Sequence, residues 1–237
     1  MRRSTPGVLG VQDLVDARIA RAEGHDAALV VRLLEPMVTE ARAARLREVI
    51  ARRLDSVAVV FDGPYDPHNG AAILRSCEAF GVQRLHVVER ESASFAVARS
   101  VTRGAEKWVD LTVHAGAPSL LAWSTASAMP LVGAHPEGEL TPEDLAGLPR
   151  VAIVLGNERE GIRPAIAAAC AHRVRVPMRG FVESLNVSVT AAILLHATTR
   201  GRSGDLGQAD RERLYARGLY LSVPRAEELI AARKSLT

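Results

Sequence analysis

The chain is short of aromatic residues and cysteine and has no long apolar run, and each shortage removes a class of protein. Phe, Trp and Tyr together make up 4% of the 237 residues, too few for a groove that grips single strands by stacking base after base. Cys77 and Cys170 fall in segments of helical pattern with no partner at metal-ligand spacing. Both read as small buried hydrophobes, and no metal is called for. No stretch approaches the roughly 20 consecutive apolar residues of a membrane span, and the opening MRRSTPGVLGV lacks the apolar centre of a signal peptide. The expectation is a cytoplasmic protein with no membrane partner. No G-x-G-x-x-G follows the first β-branched run, which ends at Phe61, and this counts against a dinucleotide site.

What is present is 48% hydrophobic and 24% charged residues, enough for one good core with terminal appendages. The net charge of +3 is unevenly spread: residues 1–54 carry ten arginines against seven acids, residues 196–237 eight Arg or Lys against five, and residues 55–195 twelve basic residues against fifteen acids. Basic ends around a slightly acidic middle suit a core whose terminal helices grip a polyanion. Solvated Arg-rich helices are the plainer alternative.

Residues 1–10 read as a frayed end. From Val11 to Arg53 apolar residues recur at three and four, as in Val11, Leu14, Val15 and Ile19 and again in Leu46, Ile50 and Leu54, which predicts two or three amphipathic helices. Apolar runs at 56–61, 84–89, 109–113, 130–134, 151–155 and 173–176 then alternate with helical stretches at 71–80, 94–100, 118–127, 163–171 and 184–200. Strands alternating with helices imply an α/β fold with a parallel sheet. A GRSGDLGQ linker leads to two short Arg-bearing helices at 210–217 and 225–234. The expected organisation is an N-terminal helical extension (1–54), a catalytic domain (55–202) and a C-terminal helical extension (203–237), with no separate second domain.

Three stretches carry the chemistry. The first is DPHNGAAILRSCEAFGV, 66–82, a turn-rich loop entering a helix, with Asn69 at or near the N-cap and Arg75 one to two turns on, where both could face one cleft. Plain capping and a surface salt bridge are the competing readings. The second is VAIVLGNEREGI, 151–162, a buried strand leaving through Gly156, Asn157 and Glu158. Here Gly156 permits close backbone approach, and an exposed loop carboxylate is the plain reading of Glu158. The third is VPMRGFVESLNVSVTAAILL, 176–195, a turn feeding an apolar helix with Ser184 at the N-cap and Asn186 and Ser188 in the first turn. Such a helix start offers backbone N–H groups to a ligand.

In this order the three stretches resemble motifs 1, 2 and 3 of the SpoU-type members of the SPOUT family, the knotted RNA ribose 2′-O-methyltransferases that use S-adenosylmethionine. The resemblance covers about residues 40 to 220 and is greatest to the TrmH branch, which methylates a D-loop guanosine of tRNA. It implies a parallel-sheet SPOUT fold with a C-terminal trefoil knot, flanked by helices, S-adenosylmethionine as cofactor, tRNA as partner, and a homodimer. Carried over by position, Asn69, Arg75, Glu158, Ser184 and Asn186 form the catalytic pocket, while Ala134, Gly156, Asn157, Val176, Met178 and Leu185 hold the cofactor. The TrmH branch often has Thr where Ala134 stands, so a hydroxyl contact would be lost here. Arg103 and Lys107 are candidates for phosphate contacts. Another tRNA nucleotide, ribosomal RNA, or a non-catalytic RNA-binding role are the alternatives.

Overall fold

A computed structural model of the chain describes residues 8–10, 17–89, 96–98 and 102–234. In chain order its elements are β1 (Val8–Gly10), α1 (Ala17–Glu23), α2 (Ala27–Leu34), α3 (Glu40–Ala51), β2 (Leu54–Asp62), α4 (Pro67–Ala79), β3 (Val82–Val88), β4 (Ala96–Ala98), β5 (Asp110–His114) and α5 (Ala117–Ala126). They continue with β6 (Leu131–Ala134), β7 (Val151–Leu155), α6 (Pro164–Ala167), β8 (His172–Val174), α7 (Val187–Thr199), α8 (Gln208–Ser222) and α9 (Ala226–Lys234). The chain divides into two units, one of residues 1–14 and 54–202 and one of residues 15–53 and 203–237.

In the α/β unit six parallel strands lie in the order β5-β3-β2-β7-β6-β8. The central strand β2 is apolar on both faces because both are covered. Val57, Val59 and Phe61 enter one core with Ile73 and Leu74 of α4 and Leu194 and Leu195 of α7. Ala58 and Val60 enter the other with Leu120 of α5 and Ile166 of α6. The strand order turns back between β2 and β7, so the loops leaving these two strands flank the point where open α/β sheets hold ligands.

In the helical unit α8 packs on α1, α2 and α3. Asp26 caps α2 by accepting from the Leu29 N–H at 2.8 Å, and Thr39 caps α3 through Arg42. Leu34, Leu46, Ile50, Leu214 and Leu219 are buried. Gly218 lets α8 approach α3: a Cβ there would stand 2.7 Å from a Leu46 methyl. The helices of 15–53 and those of 203–237, expected as an N-terminal and a C-terminal extension, thus pack into one unit.

Local pattern misplaced several elements. The supposed frayed end contains β1, which pairs antiparallel with β4, and β4 lies inside the stretch 94–100 expected to be helical. A three-residue strand owes its existence to a distant partner, which no window of sequence contains; the rest of that stretch except Ala96–Ala98, and residues 1–7, lie outside the described residues. The expected helix 163–171 stops at Ala167, because the Ala171 N–H is drawn to the Leu131 carbonyl at 2.9 Å and starts the chain into β8. Cys170 therefore follows that helix, where burial pushes its thiol up to about 11.

Candidate active site

Strand ends and irregular loops build one cavity in the α/β unit, with a volume of about 320 Å³, within the usual span of ligand pockets. Ala134, His135 and Pro136 line it from the end of β6, Leu155 to Glu158 and Gly161 from β7, Val174, Val176 and Met178 from β8, and Glu183, Ser184, Leu185, Val187 and Thr190 from the approach to α7 and its first turn. From 175 to 186 the backbone forms neither helix nor strand, and the Arg175 N–H donates to the Leu140 carbonyl at 2.9 Å. All six residues expected at a cofactor, Ala134, Gly156, Asn157, Val176, Met178 and Leu185, lie on this wall.

The β7 loop is folded back on itself. Asn157 and Gly161 exchange backbone hydrogen bonds of 3.0 and 3.3 Å. A Cβ on Gly156 would meet the Gly161 carbonyl carbon at 2.2 Å, so only glycine fits the crossing. The Asn157 side chain is 4% exposed; its Oδ1 accepts from the Arg159 and Glu160 N–H groups, each at 2.9 Å. Its Nδ2 has no hydrogen-bond partner among the described residues, an arrangement that a bound acceptor would complete.

Four polar side chains form a directed chain that reaches this wall. The Ser188 hydroxyl and N–H donate to the Asn186 Oδ1 at 2.6 and 2.8 Å, the Asn186 amide donates to the Asn69 Oδ1 at 3.1 Å, and the Asn69 amide donates to Glu158. Motifs 1, 2 and 3 thereby meet through Asn69, Glu158 and Asn186. α4 begins at Pro67, capped by Asp66 accepting from the His68 N–H at 2.8 Å, which puts Asn69 in the first turn, near the cap as expected. The position of Ser184 needs correction. α7 begins at Val187 with Asn186 as its cap, so Ser184 stands in the approach and not at the helix start. In both places a nearer side-chain acceptor took the cap.

Ser184 and Glu158 line the cavity; Asn69, Asn186 and Arg75 do not. Arg75 is exposed on α4, turned about 120° from Asn69 by their six-residue spacing. His135 is exposed, and its ring accepts from the Glu137 N–H at 3.1 Å. Arg103 is exposed with φ of 52°, and Lys107 ends a 3-10 turn.

Sequence reasoning passed over a second group beside the motifs. The Asp62 carboxylate, fully buried at the end of β2, accepts from the Arg163 N–H and Nε, both at 2.7 Å. An acid closing an apolar strand was the available signal, since a buried carboxylate requires a partner.

The SpoU rRNA Methylase family model matches residues 56–196, and the chain belongs to this family. It is 32% identical over 177 residues to a tRNA (guanosine(18)-2′-O)-methyltransferase of Thermus thermophilus, covering 74% of this chain and 90% of that protein. The TrmH/SpoU tRNA modifying enzyme of A. aeolicus superposes with a TM-score of 0.69 at 27% identity, over 78% of this chain and 98% of that one. The SpoU methyltransferase AviRb of Streptomyces viridochromogenes, solved in complex with AdoMet, gives 0.55 at 25% identity over 65% of this chain and 60% of that one.

Proposed function

We propose that the protein transfers a methyl group from S-adenosylmethionine to a ribose 2′-hydroxyl of tRNA, at a D-loop guanosine, acting as a homodimer in the cytoplasm. The observation that carries this reading is the cavity at the ends of β6, β7 and β8, reached by the side-chain chain Ser188–Asn186–Asn69–Glu158, in a chain of the SpoU family. The knot expected of the family belongs to the same reading.

The cavity fits the cofactor. Val176 and Leu185 offer apolar walls, the irregular 176–185 backbone brings main-chain groups to the lining that suit the edges of an adenosine, and the Asn157 amide awaits an acceptor. The Glu158 and Glu183 carboxylates on the lining suit a cationic ligand. When bound, S-adenosylmethionine supplies a methyl group already activated on a sulfonium, so the protein's part is positioning and electrostatics. Asn69 is held by one donor and one acceptor and is thus fixed in orientation, ready to place the ribose. Arg75 is the motif-1 guanidinium; its role is to bind the substrate phosphate and stabilise negative charge growing on the 2′-oxygen. The helical unit supplies further phosphate contacts.

The test is methylation of bulk tRNA and bulk ribosomal RNA with labelled cofactor, followed by mapping of the blocked ribose. Label at a D-loop guanosine is the expected result. Label confined to ribosomal RNA would favour the second reading, which the description of the family model supports. No label, together with no cofactor binding by calorimetry, would leave a non-catalytic RNA-binding protein.

A further inference from the structure

We infer that Asp62 and Arg163 are positioning residues: they form the buried end of a row of side-chain ties that fastens the β2 loop to the β7 loop and sets where Glu158 and the Gly156–Gly161 wall stand.

The ties occur in order. At the inner end Arg163 binds the Asp62 carboxylate through its N–H and Nε, and through Nη2 at 2.5 Å. The same guanidinium donates to the Glu89 carbonyl at 3.2 Å and the Val88 carbonyl at 3.3 Å. One planar group therefore joins the ends of β2 and β3 to the residue that closes the β7 loop. Next, the Tyr65 hydroxyl donates to Glu160 at 3.3 Å while the Arg159 guanidinium lies 4.6 Å from the centre of the Tyr65 ring. At the outer end Asn69 donates to Glu158. Partners advance along one loop as 62, 65, 69 and retreat along the other as 163, 160, 158, so the two loops are laced antiparallel.

Between the inner and outer ties the β7 loop is stiff, closed by the Asn157–Gly161 bonds and by the contact of Gly156 on Gly161. A displacement at Arg163 is carried to Glu158 and to the cavity wall as one piece. Arginine is required because three acceptors in different directions need its fork; lysine keeps the charge but brings a single point donor.

The inference rests on the proposed activity for its catalytic consequence, and its test separates the two. Arg163→Lys and Asp62→Asn are compared with wild type by cofactor calorimetry, steady-state kinetics on tRNA, thermal melting and amide hydrogen exchange. For a folded Arg163→Lys protein the expected result is a loss of cofactor affinity of about tenfold, a fall in kcat of up to about a hundredfold for a sub-ångström misplacement, and a tRNA KM unchanged within about twofold. Amide exchange should quicken at 156–162 and stay at the wild-type rate in β2.

Wild-type cofactor affinity and wild-type loop exchange in that variant would overturn the inference. Exchange raised uniformly across the sheet would also overturn it, because the pair would then be a general bond of the fold. If wild type itself neither binds cofactor nor methylates RNA, the proposed activity falls while the exchange measurement still decides the lacing. Should neither buried variant fold, Tyr65→Ala at the exposed middle tie decides: faster exchange at 156–162 supports the lacing, and no change overturns it.

Discussion

In the α/β unit Arg163 turns inward, onto a fully buried carboxylate and two strand-end carbonyls, whereas in the helical unit Arg45, Arg47, Arg52 and Arg225 lie on the surface against acids of the same unit. The Arg45 hydrogen bond and the Arg52 charge hold the Glu48 carboxyl below its usual range. Even Arg213 and Arg217, on neighbouring turns of α8, share one carboxylate, Glu23. Formal charge is a poor measure of what a polyanion meets, because near neighbours cancel much of it before any phosphate arrives. At Arg45, Arg47, Arg52 and Arg225 of the helical unit arginine trims surface charge; at Arg163 of the α/β unit it fixes backbone.

The two roles predict effects of different size. Greatest should be Gly156→Ala, which pushes a methyl group into the Gly161–Ile162 backbone. A loss of about 3 kcal/mol and cofactor affinity down by about a hundredfold are expected by melting and calorimetry. A variant that binds normally would mean that the β7 loop yields freely.

Glu23→Gln comes next, because it removes a carboxylate that Arg213 and the 3% exposed Arg217 share. About 1 to 2 kcal/mol should be lost, read from urea melts followed by far-ultraviolet circular dichroism. A much smaller loss would place this pair with the surface ones.

Acid should act on the α/β unit through His86 and His114. They lie side by side, Nδ1 of His86 2.9 Å from Nε2 of His114, with His86 against the Trp123 ring. Burial, then His114 and Arg84, push His86 down to about 3, and burial pushes His114 down. Unfolded histidine titrates near 6.5, so below that pH the unfolded chain takes up protons that the folded one refuses. Stability is complete above about pH 6.5 and falls by about 1.4 kcal/mol per pH unit for His86 as pH drops toward its folded value. Glu227 of the helical unit, held low by Tyr220 and His25, gives way only as pH falls below the ordinary carboxylate range. Both tryptophans, Trp108 and Trp123, belong to the α/β unit, so urea melts followed by tryptophan emission at pH 7, 6 and 5 report on it alone. A flat dependence would mean that the folded pair takes up protons as readily as the unfolded chain.

The smallest effect is that of Arg47→Ala. Its partners Glu35 and Glu40 sit with it on the surface, and Tm should move by no more than about 2 °C. A larger drop would show that the Arg47 guanidinium over the Tyr215 ring, 5.2 Å from its centre, contributes more through packing than through charge.

The parallel sheet was legible because a strand covered on both faces must be apolar throughout, as 56–61 and 151–155 are, and the helices between strands showed their spacing. The cavity wall was legible because Gly156, Val176 and Leu185 stand at strand ends and turns, where open sheets place ligands. Asp66 and Asn186 as caps were missed because several polar residues competed at each helix start, and only backbone geometry chose among them.

Sequence by itself determined which segments are buried and in what order, since hydrophobic periodicity is a local property of the chain. Tertiary structure alone decided that the helices of 15–53 and 203–237 fold together, that Val8–Gly10 finds Ala96–Ala98, and that Asp62 meets Arg163. These pairings join residues far apart in the chain, and the cost of leaving a strand edge, a helix face or a carboxylate buried without a partner is felt only once the chain is closed around it.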